Sequence, residues 1–280
     1  MAPLIKLTDI RKTFGAVTAL RGVSLDVEPG ETFALLGDNA AGKSTLMKIL
    51  TGVYQPDHGS IEFLGDHVHF PTPATSRQRG IEMIYQDFAL SDNLDVRSNI
   101  FLGREPRKGL LGPFLRVLDT KRMESETRRV LDALDIAINP RLKVRRLSGG
   151  QRQAVAIGRA LAFDAKLIIM DEPTANLSVA KVDKLIEVTQ RLKSLGIAVI
   201  IITHRLDEAF AVADRLAVMR QGEVVGRFRV ADVTETQVAE LISHGSLADE
   251  PGGQSQRRQI GSTQVPDLRE GQQREAAVQR

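Results

Sequence analysis

Gly37-Asp-Asn-Ala-Ala-Gly-Lys-Ser-Thr45 has the spacing G-x-x-x-x-G-K-[ST], and each residue type in it suits contact with phosphate. Its glycines let main-chain N–H groups approach phosphate oxygens with no Cβ in the way. Lys43 adds a point charge on the β- and γ-phosphates, and Ser44 can offer its hydroxyl to Mg²⁺. A second group of reactive side chains is the pair Asp171-Glu172, which closes the apolar run Leu167-Ile-Ile-Met170. Carboxylates at the C-terminal end of a buried parallel strand stand where open α/β sheets bind ligands. Asp171 there suits holding Mg²⁺; Glu172, one residue on, points elsewhere and suits polarising a water that attacks phosphorus. A third stretch, Leu147-Ser-Gly-Gly-Gln151, precedes apolar residues at 154, 157 and 161, the spacing of a helix face. Ser148, Gly149 and Gly150 are therefore expected just ahead of a helix N-terminus, a second place that favours an anion.

The elements needed to position these groups are also legible. Thr32-Phe-Ala-Leu-Leu36, bounded by Gly30 and Gly37, reads as a buried parallel strand. A helix is expected from Lys43 to about Leu50, stopped at Gly52, with phosphate at its N-terminus. Ile81–Tyr85 and Ile197–Thr203 read as further strands, ending at Gln86 and His204. Gln55-Pro-Asp-His-Gly59 reads as a turn before a strand, and Met123 to Leu134 as helix. Three parts follow: strands and phosphate loop over 4–87, a helix-rich part over 88–160, and strand–helix alternation over 161–245. Residues 246–280 hold many Gln, Arg and Gly and few large apolar side chains, so that tail is expected to be disordered.

Composition bounds the function. With 42% hydrophobic and 26% charged residues, 280 residues can bury an ordinary globular core. No apolar run approaches the roughly 18 residues of a membrane span, and no signal-peptide core lies among Lys6, Asp9, Arg11 and Lys12. The absence of Cys excludes disulfides and thiolate metal sites. A net charge of +3, mixed along the chain, does not indicate nucleic acid. His67 and His69 could share a strand face but read as solvated rather than metal-binding. Arg141, Lys143, Arg145 and Arg146 read as a solvated loop, or else as added positive field near phosphate.

Together, the phosphate loop, Leu147–Gln151 and Leu167–Pro173 resemble the ATP-binding cassette (ABC) family over about residues 4–245. The resemblance implies an α/β fold: a P-loop NTPase (RecA-like) core, an antiparallel β subdomain and an inserted α-helical subdomain at about 88–160. It implies ATP and Mg²⁺ as ligands. Gly37, Asp38, Asn39, Ala40, Ala41, Gly42, Lys43, Ser44 and Thr45 would surround the phosphates, and Phe14, with Val17 near it, would stack on adenine as the A-loop aromatic. Asp171 matches the Walker B acid, Glu172 the catalytic carboxylate and His204 the switch histidine. Gln86 matches the Q-loop residue that senses Mg²⁺ and the γ-phosphate; Ser44, Gln86 and Asp171 would serve the metal. Ser148, Gly149, Gly150 and Gln151 match the signature that covers the γ-phosphate held by another subunit, so two chains would sandwich two ATP molecules. Two departures stand out. Position 40 is Ala where the family usually carries a third glycine, which costs about 1–2 kcal/mol if its φ is positive. Ser178 stands where many relatives end the D-loop in Asp, so communication between the two sites could differ.

The segment from Tyr85 to Glu105, with Ser148–Ile157 and Asp171–Ala175, is similar to the ATPase of bacterial monosaccharide importers of the ribose, xylose and fructose group. That branch implies a subunit on the cytoplasmic face of the inner membrane that powers sugar uptake. A separate permease would dock on residues 86–105, and a periplasmic sugar-binding protein would act through it. Many members fuse two cassettes in one chain; the single cassette here favours a homodimer, a paralogue being the other partner. The competing readings are a soluble cassette ATPase that remodels or regulates a protein assembly, and an ATP-binding switch without turnover, which intact Glu172 and His204 oppose.

Overall fold

The computed structural model describes residues 2–109, 116–173 and 182–246. A compact unit spans Met1–Leu247. Ser178, and residues 247–280 of the tail expected from 246, lie outside the described residues.

The chain opens with a long antiparallel pair, β1 (Ile5–Phe14) and β2 (Val17–Val27), then β3 (Thr32–Leu36) and α1 (Lys43–Leu50). β4 (His58–Phe63), β5 (Asp66–Val68), α2 (Pro73–Gln78) and β6 (Ile81–Ile84) follow. A helical stretch comes next: α3 (Val96–Ile100), a small hairpin of β7 (Arg107–Gly109) and β8 (Arg116–Leu118), α4 (Thr120–Ala133) and α5 (Gly149–Leu161). The last part holds β9 (Leu167–Asp171), α6 (Val182–Ser194), β10 (Ala198–Ile202) and α7 (Leu206–Val212). It ends with β11 (Arg215–Arg220), β12 (Glu223–Arg229) and α8 (Glu235–His244).

Two sheets carry the fold. One has four strands in the order β2-β1-β4-β5, and the other six, β12-β11-β3-β10-β9-β6. In the larger sheet β11, β3, β10, β9 and β6 run parallel and β12 antiparallel to β11. Every residue of β3 and of β10 is buried, as expected for central strands covered on both faces. Alternation decides which cover each side chain meets. Phe33, Leu35 and Ile200 join β1, β2 and α1 in one cluster. Val199, Ile201 and Ile168 pack with Leu185 and Leu192 of α6 and Ile157 of α5 in another. α3, α4 and α5 share a third core of their own, including Val96, Ile100, Met123, Val130 and Val155. Among the described residues no helix is long and apolar enough to cross a membrane.

Local sequence sets most boundaries. β3 and α1 fall where the apolar run and the loop place them. α4 begins three residues earlier than its apolar pattern, at Thr120, because the Asp119 carboxylate accepts the Arg122 N–H at 3.1 Å. The strand after Gln55-Pro56 starts at His58, inside the expected turn. Gly149 and Gly150 are not ahead of α5 but in its first turn. Ser148 is the N-cap and closes a reciprocal capping box with Gln151, at 3.0 and 3.3 Å.

Candidate functional site

Sheet register decides which loops meet. In β10, Ile202 lies opposite Leu35 of β3 on one side and Asp171 of β9 on the other. β6 lies beyond β9, with Ile84 opposite Met170. The carboxyl ends of four parallel strands are therefore level. The phosphate loop, His204, Asp171-Glu172 and Gln86 leave the sheet along one edge, in the strand order β3, β10, β9, β6.

The loop between β3 and α1 is shaped by its glycines. Gly37 has φ 145°, and a Cβ there would lie 2.2 Å from the Met219 carbonyl oxygen. Gly42, the N-cap of α1, has φ 103° and no room for a side chain beside the Ala19 carbonyl. Without a capping side chain, the first-turn N–H groups of α1 stay available to an anion. Lys43 is buried, and its ammonium donates to the carbonyls of Gly37 at 2.6 Å and Asp38 at 2.9 Å. It bridges the base of the loop. Burial lowers the Lys43 pKa, opposed by the negative field of Glu172, Asp38 and Asp171.

Ala40 adopts φ 68°, so the departure from glycine carries strain. Ala40→Gly is expected to relieve about 1 kcal/mol, raising Tm by about 2–4 °C in a domain of this size. A thermal melt that moves the other way would remove strain at position 40 as the cause.

The acids occupy the next strand end but one. The Glu172 N–H donates to the Ile202 carbonyl at 2.8 Å, and the residue turns out of the sheet at φ 45°. Its Oε1 lies 3.1 Å from His204 Nδ1. A carboxylate only accepts, so against ionised Glu172 it is Nδ1 that carries the proton, leaving Nε2 to face elsewhere. Burial, reinforced by Glu172 and opposed by Lys43 and Lys48, holds the Asp171 carboxyl above its ordinary range. The folded state thus favours protonated Asp171, and that stability is lost as pH rises through the raised pKa. Asp171→Asn is therefore expected to raise Tm near pH 7–8, measured without nucleotide or Mg²⁺. The gain should shrink as pH falls toward the carboxyl's ordinary value of 3.8.

A cavity of about 610 Å³ opens on this edge, lined by Val17, by Asn39 through Thr45, and by Asp171 and Glu172. Gly37 and Asp38 contribute through the carbonyls that hold Lys43, and His204 through its contact with Glu172. Phe14, Gln86 and the segment Ser148–Gln151 do not line it. Phe14 is 41% exposed at the end of β1, edge-on to Tyr54 at 5.1 Å with the Lys12 ammonium 5.4 Å from its ring centre. Gln86 is exposed in a turn closed by the Phe88 N–H on the Tyr85 carbonyl. Ser148–Gln151 belong to the end of α5, which packs with the helical cluster.

Thr18, Ala19, Arg21, Ile202 and Gln221 also line the cavity without having been anticipated. Gln221 arrives through the β11–β12 turn. There the Gly222 N–H donates to the Ala41 carbonyl at 3.0 Å, and the Gly222 carbonyl accepts from Arg21 at 2.9 Å. Gln221-Gly222, both at positive φ, form the two-residue connection of this hairpin, and Gly222 between two apolar runs is the signal the sequence offers. Arg141, Lys143, Arg145 and Arg146 are exposed, Arg141 paired with Glu124 at 2.9 Å. His67 and His69 are exposed as well.

The chain is similar to known proteins in sequence and in fold. The chain is 44% identical over 248 residues to "Xylose/arabinose import ATP-binding protein XylG" of Sulfolobus acidocaldarius, covering 88% of this chain and 96% of that one. It is 43% identical over 240 residues to "Ribose import ATP-binding protein RbsA" of Jannaschia sp., covering 86% of this chain but 46% of that protein. It thus spans nearly all of the first relative and about half the length of the second. Among solved structures, the ADP conformation of MJ1267, an ATP-binding cassette of an ABC transporter, superposes with a TM-score of 0.74 at 28% identity. That match covers 87% of this chain and 96% of that one. A dimeric post-hydrolysis state of the cassette MJ0796, bound to ADP and Pi, gives 0.65 at 25% identity over 81% and 98%. The ABC transporter family model matches residues 20–175, from β2 through the phosphate loop to just past Glu172, and with those elements placed as above the chain belongs to the ABC transporter family.

Proposed function

We propose that this chain is the ATP-hydrolysing subunit of an importer for a simple sugar. The observation that carries the ATP-hydrolysing part of this reading is the sheet edge that holds the Lys43 cradle and the Glu172–His204 pair at 3.1 Å. ATP lies with its β- and γ-phosphates over residues 37–45 and its adenine toward Phe14. Glu172 polarises a water that attacks the γ-phosphorus as the bond to the bridging oxygen breaks, and His204 orients Glu172 and the phosphate. The Ser44 hydroxyl and half-buried Asp171 carboxylate are oxygen donors that fit Mg²⁺, with Gln86 on the adjoining strand end. When bound, the ion offsets phosphate charge.

The position of Ser148–Gln151 outside their own chain's cavity supports a site completed by two chains. Gly149 and Gly150 in the first turn of α5 offer amides that one chain's own ATP does not use. A second copy in twofold, head-to-tail arrangement would present them to the γ-phosphate. ATP then closes the pair and hydrolysis opens it, because the γ-phosphate is the contact that differs between the two states. A permease docks near residues 86–105, where Tyr85 and Leu102, 44% and 47% exposed, border a second cavity. Through it acts a periplasmic sugar-binding protein. The subunit is peripheral, on the cytoplasmic face of the inner membrane. The names of the relatives favour sugar import over a soluble remodelling ATPase.

The test is affinity capture from detergent-solubilised membranes, followed by ATPase assays in reconstituted vesicles. A multi-span permease and a binding protein should be recovered, and sugar-loaded binding protein should stimulate turnover. Soluble partners alone would overturn the importer reading.

A further inference from the structure

We infer that Arg159 is a positioning residue that locks the turn carrying Gln86 to the helix carrying Ser148–Gln151, so that the two move as one body. Arg159 lies in the last turn of α5, about 16 Å along the helix from the Ser148 cap. Its guanidinium forks onto two successive main-chain carbonyls, those of Phe88 and Ala89, each at 3.0 Å. Phe88 and Ala89 have φ 60° and 45°, a left-handed conformation that needs outside contacts to persist in non-glycine residues. Both carbonyls are thereby turned to one planar donor, a geometry that guanidinium matches and an ammonium does not.

The contacts on either side place the pivot. Up to Ile84 the chain belongs to β6 and is paired with β9 of the main sheet. Beyond Ala89 it is tied to the helical cluster: Asp92 meets Arg152 of α5 at 2.7 Å, and the Val144 N–H donates to the Leu94 carbonyl. Arg159 is the first of these ties. Tyr85, Gln86 and Asp87 lie between β6 and that tie, within a turn closed by Phe88 N–H on Tyr85 O at 2.8 Å. A displacement of Gln86 therefore reaches α5 through Arg159 rather than dissipating along a loose loop. This inference rests on the proposed role of Gln86 at the γ-phosphate only for its consequence; the mechanical linkage stands on the contacts.

The chain has no cysteine, so two spin labels can be placed cleanly, at the exposed positions Ala89→Cys on the loop and Ser125→Cys on α4, which packs with α5. In the full chain with native Arg159, the label distance should be single and narrow, and the same with ADP as with ATP in a Glu172→Gln background. Arg159→Met should broaden it and make it nucleotide-dependent. It should also lower kcat for ATP hydrolysis while leaving ATP Kd unchanged, a split that general loss of stability does not produce. Arg159→Lys keeps the charge but not the fork; it should give the same broadening, and it serves as the test if the Met variant fails to fold. A distance as narrow in the folded variants as in the parent would overturn the inference whatever the ATPase shows. Loss of turnover in the parent chain itself would count against the ATPase reading and leave the linkage standing.

Discussion

Glu172→Gln is expected to bind ATP as the native chain does and to hydrolyse it about 10²–10⁴-fold more slowly, the usual contribution of a positioned general base. The amide keeps the size of the carboxyl and leaves the phosphate contacts of residues 37–45 untouched, so affinity is retained. What is lost is the acceptor that polarises water at the strand end. Its placement comes from three constraints: the Ile202 carbonyl holding its N–H, φ 45° turning it from the sheet, and His204 Nδ1 at 3.1 Å. Because the γ-phosphate persists, the variant should accumulate as a dimer with ATP and Mg²⁺, seen as an earlier elution in size-exclusion chromatography. Glu172→Gln combined with His204→Ala should cost little more than the Gln substitution alone, since the two side chains act through one contact. Ordinary steady-state turnover in Glu172→Gln would remove Glu172 from the catalytic role.

Lys43→Met is expected to fail earlier, at binding. The Lys43 ammonium is buried beneath the loop, where each charge-assisted contact contributes about 1.5–3 kcal/mol. At about 1.4 kcal/mol per decade, losing it should weaken ATP about 10–100-fold. Two effects add in the same direction. The Gly37 and Asp38 carbonyls lose their shared donor, and Asp171 and Glu172 lose a nearby positive charge that lowers the Asp171 pKa. Calorimetric titration with ATP and with ADP separates the contributions. A loss much larger for ATP than for ADP places the ammonium on the γ-phosphate, and equal losses place it on the loop. An affinity unchanged for both would show that the main-chain amides suffice.

Much of the site can be read without coordinates, and the limits of that reading are physical. The strand Thr32–Leu36, its glycines and the helix from Lys43 are a local unit. An apolar run with a breaker at each end and a helix-forming octet after it leaves the backbone few choices over so short a span. The helix start after Ser148 is legible for the same reason, but the expectation that Gly149 and Gly150 precede it fails, because Ser148 caps the helix and the two glycines form its first turn. Position 40 shows the other case. Ala says nothing about its own φ; the value of 68° comes from closing the loop between β3 and α1.

Residue types and their spacing thus fix the chemistry available: a phosphate loop, a pair of acids after a buried strand, a glycine-rich helix start and no cysteine. The tertiary structure decided which of these meet. The pairing of Ile202 with both Leu35 and Asp171 brings His204 against Glu172. The β11–β12 turn carries Gln221 and Gly222 onto Ala41 from the far end of the chain. The helical core keeps Ser148–Gln151 out of their own cavity while Arg159, on the same helix, reaches the Gln86 turn. Backbone conformation within one element follows from neighbouring residues, whereas contacts between elements follow from sheet register and from which faces of strands and helices are buried together, and no local pattern encodes either.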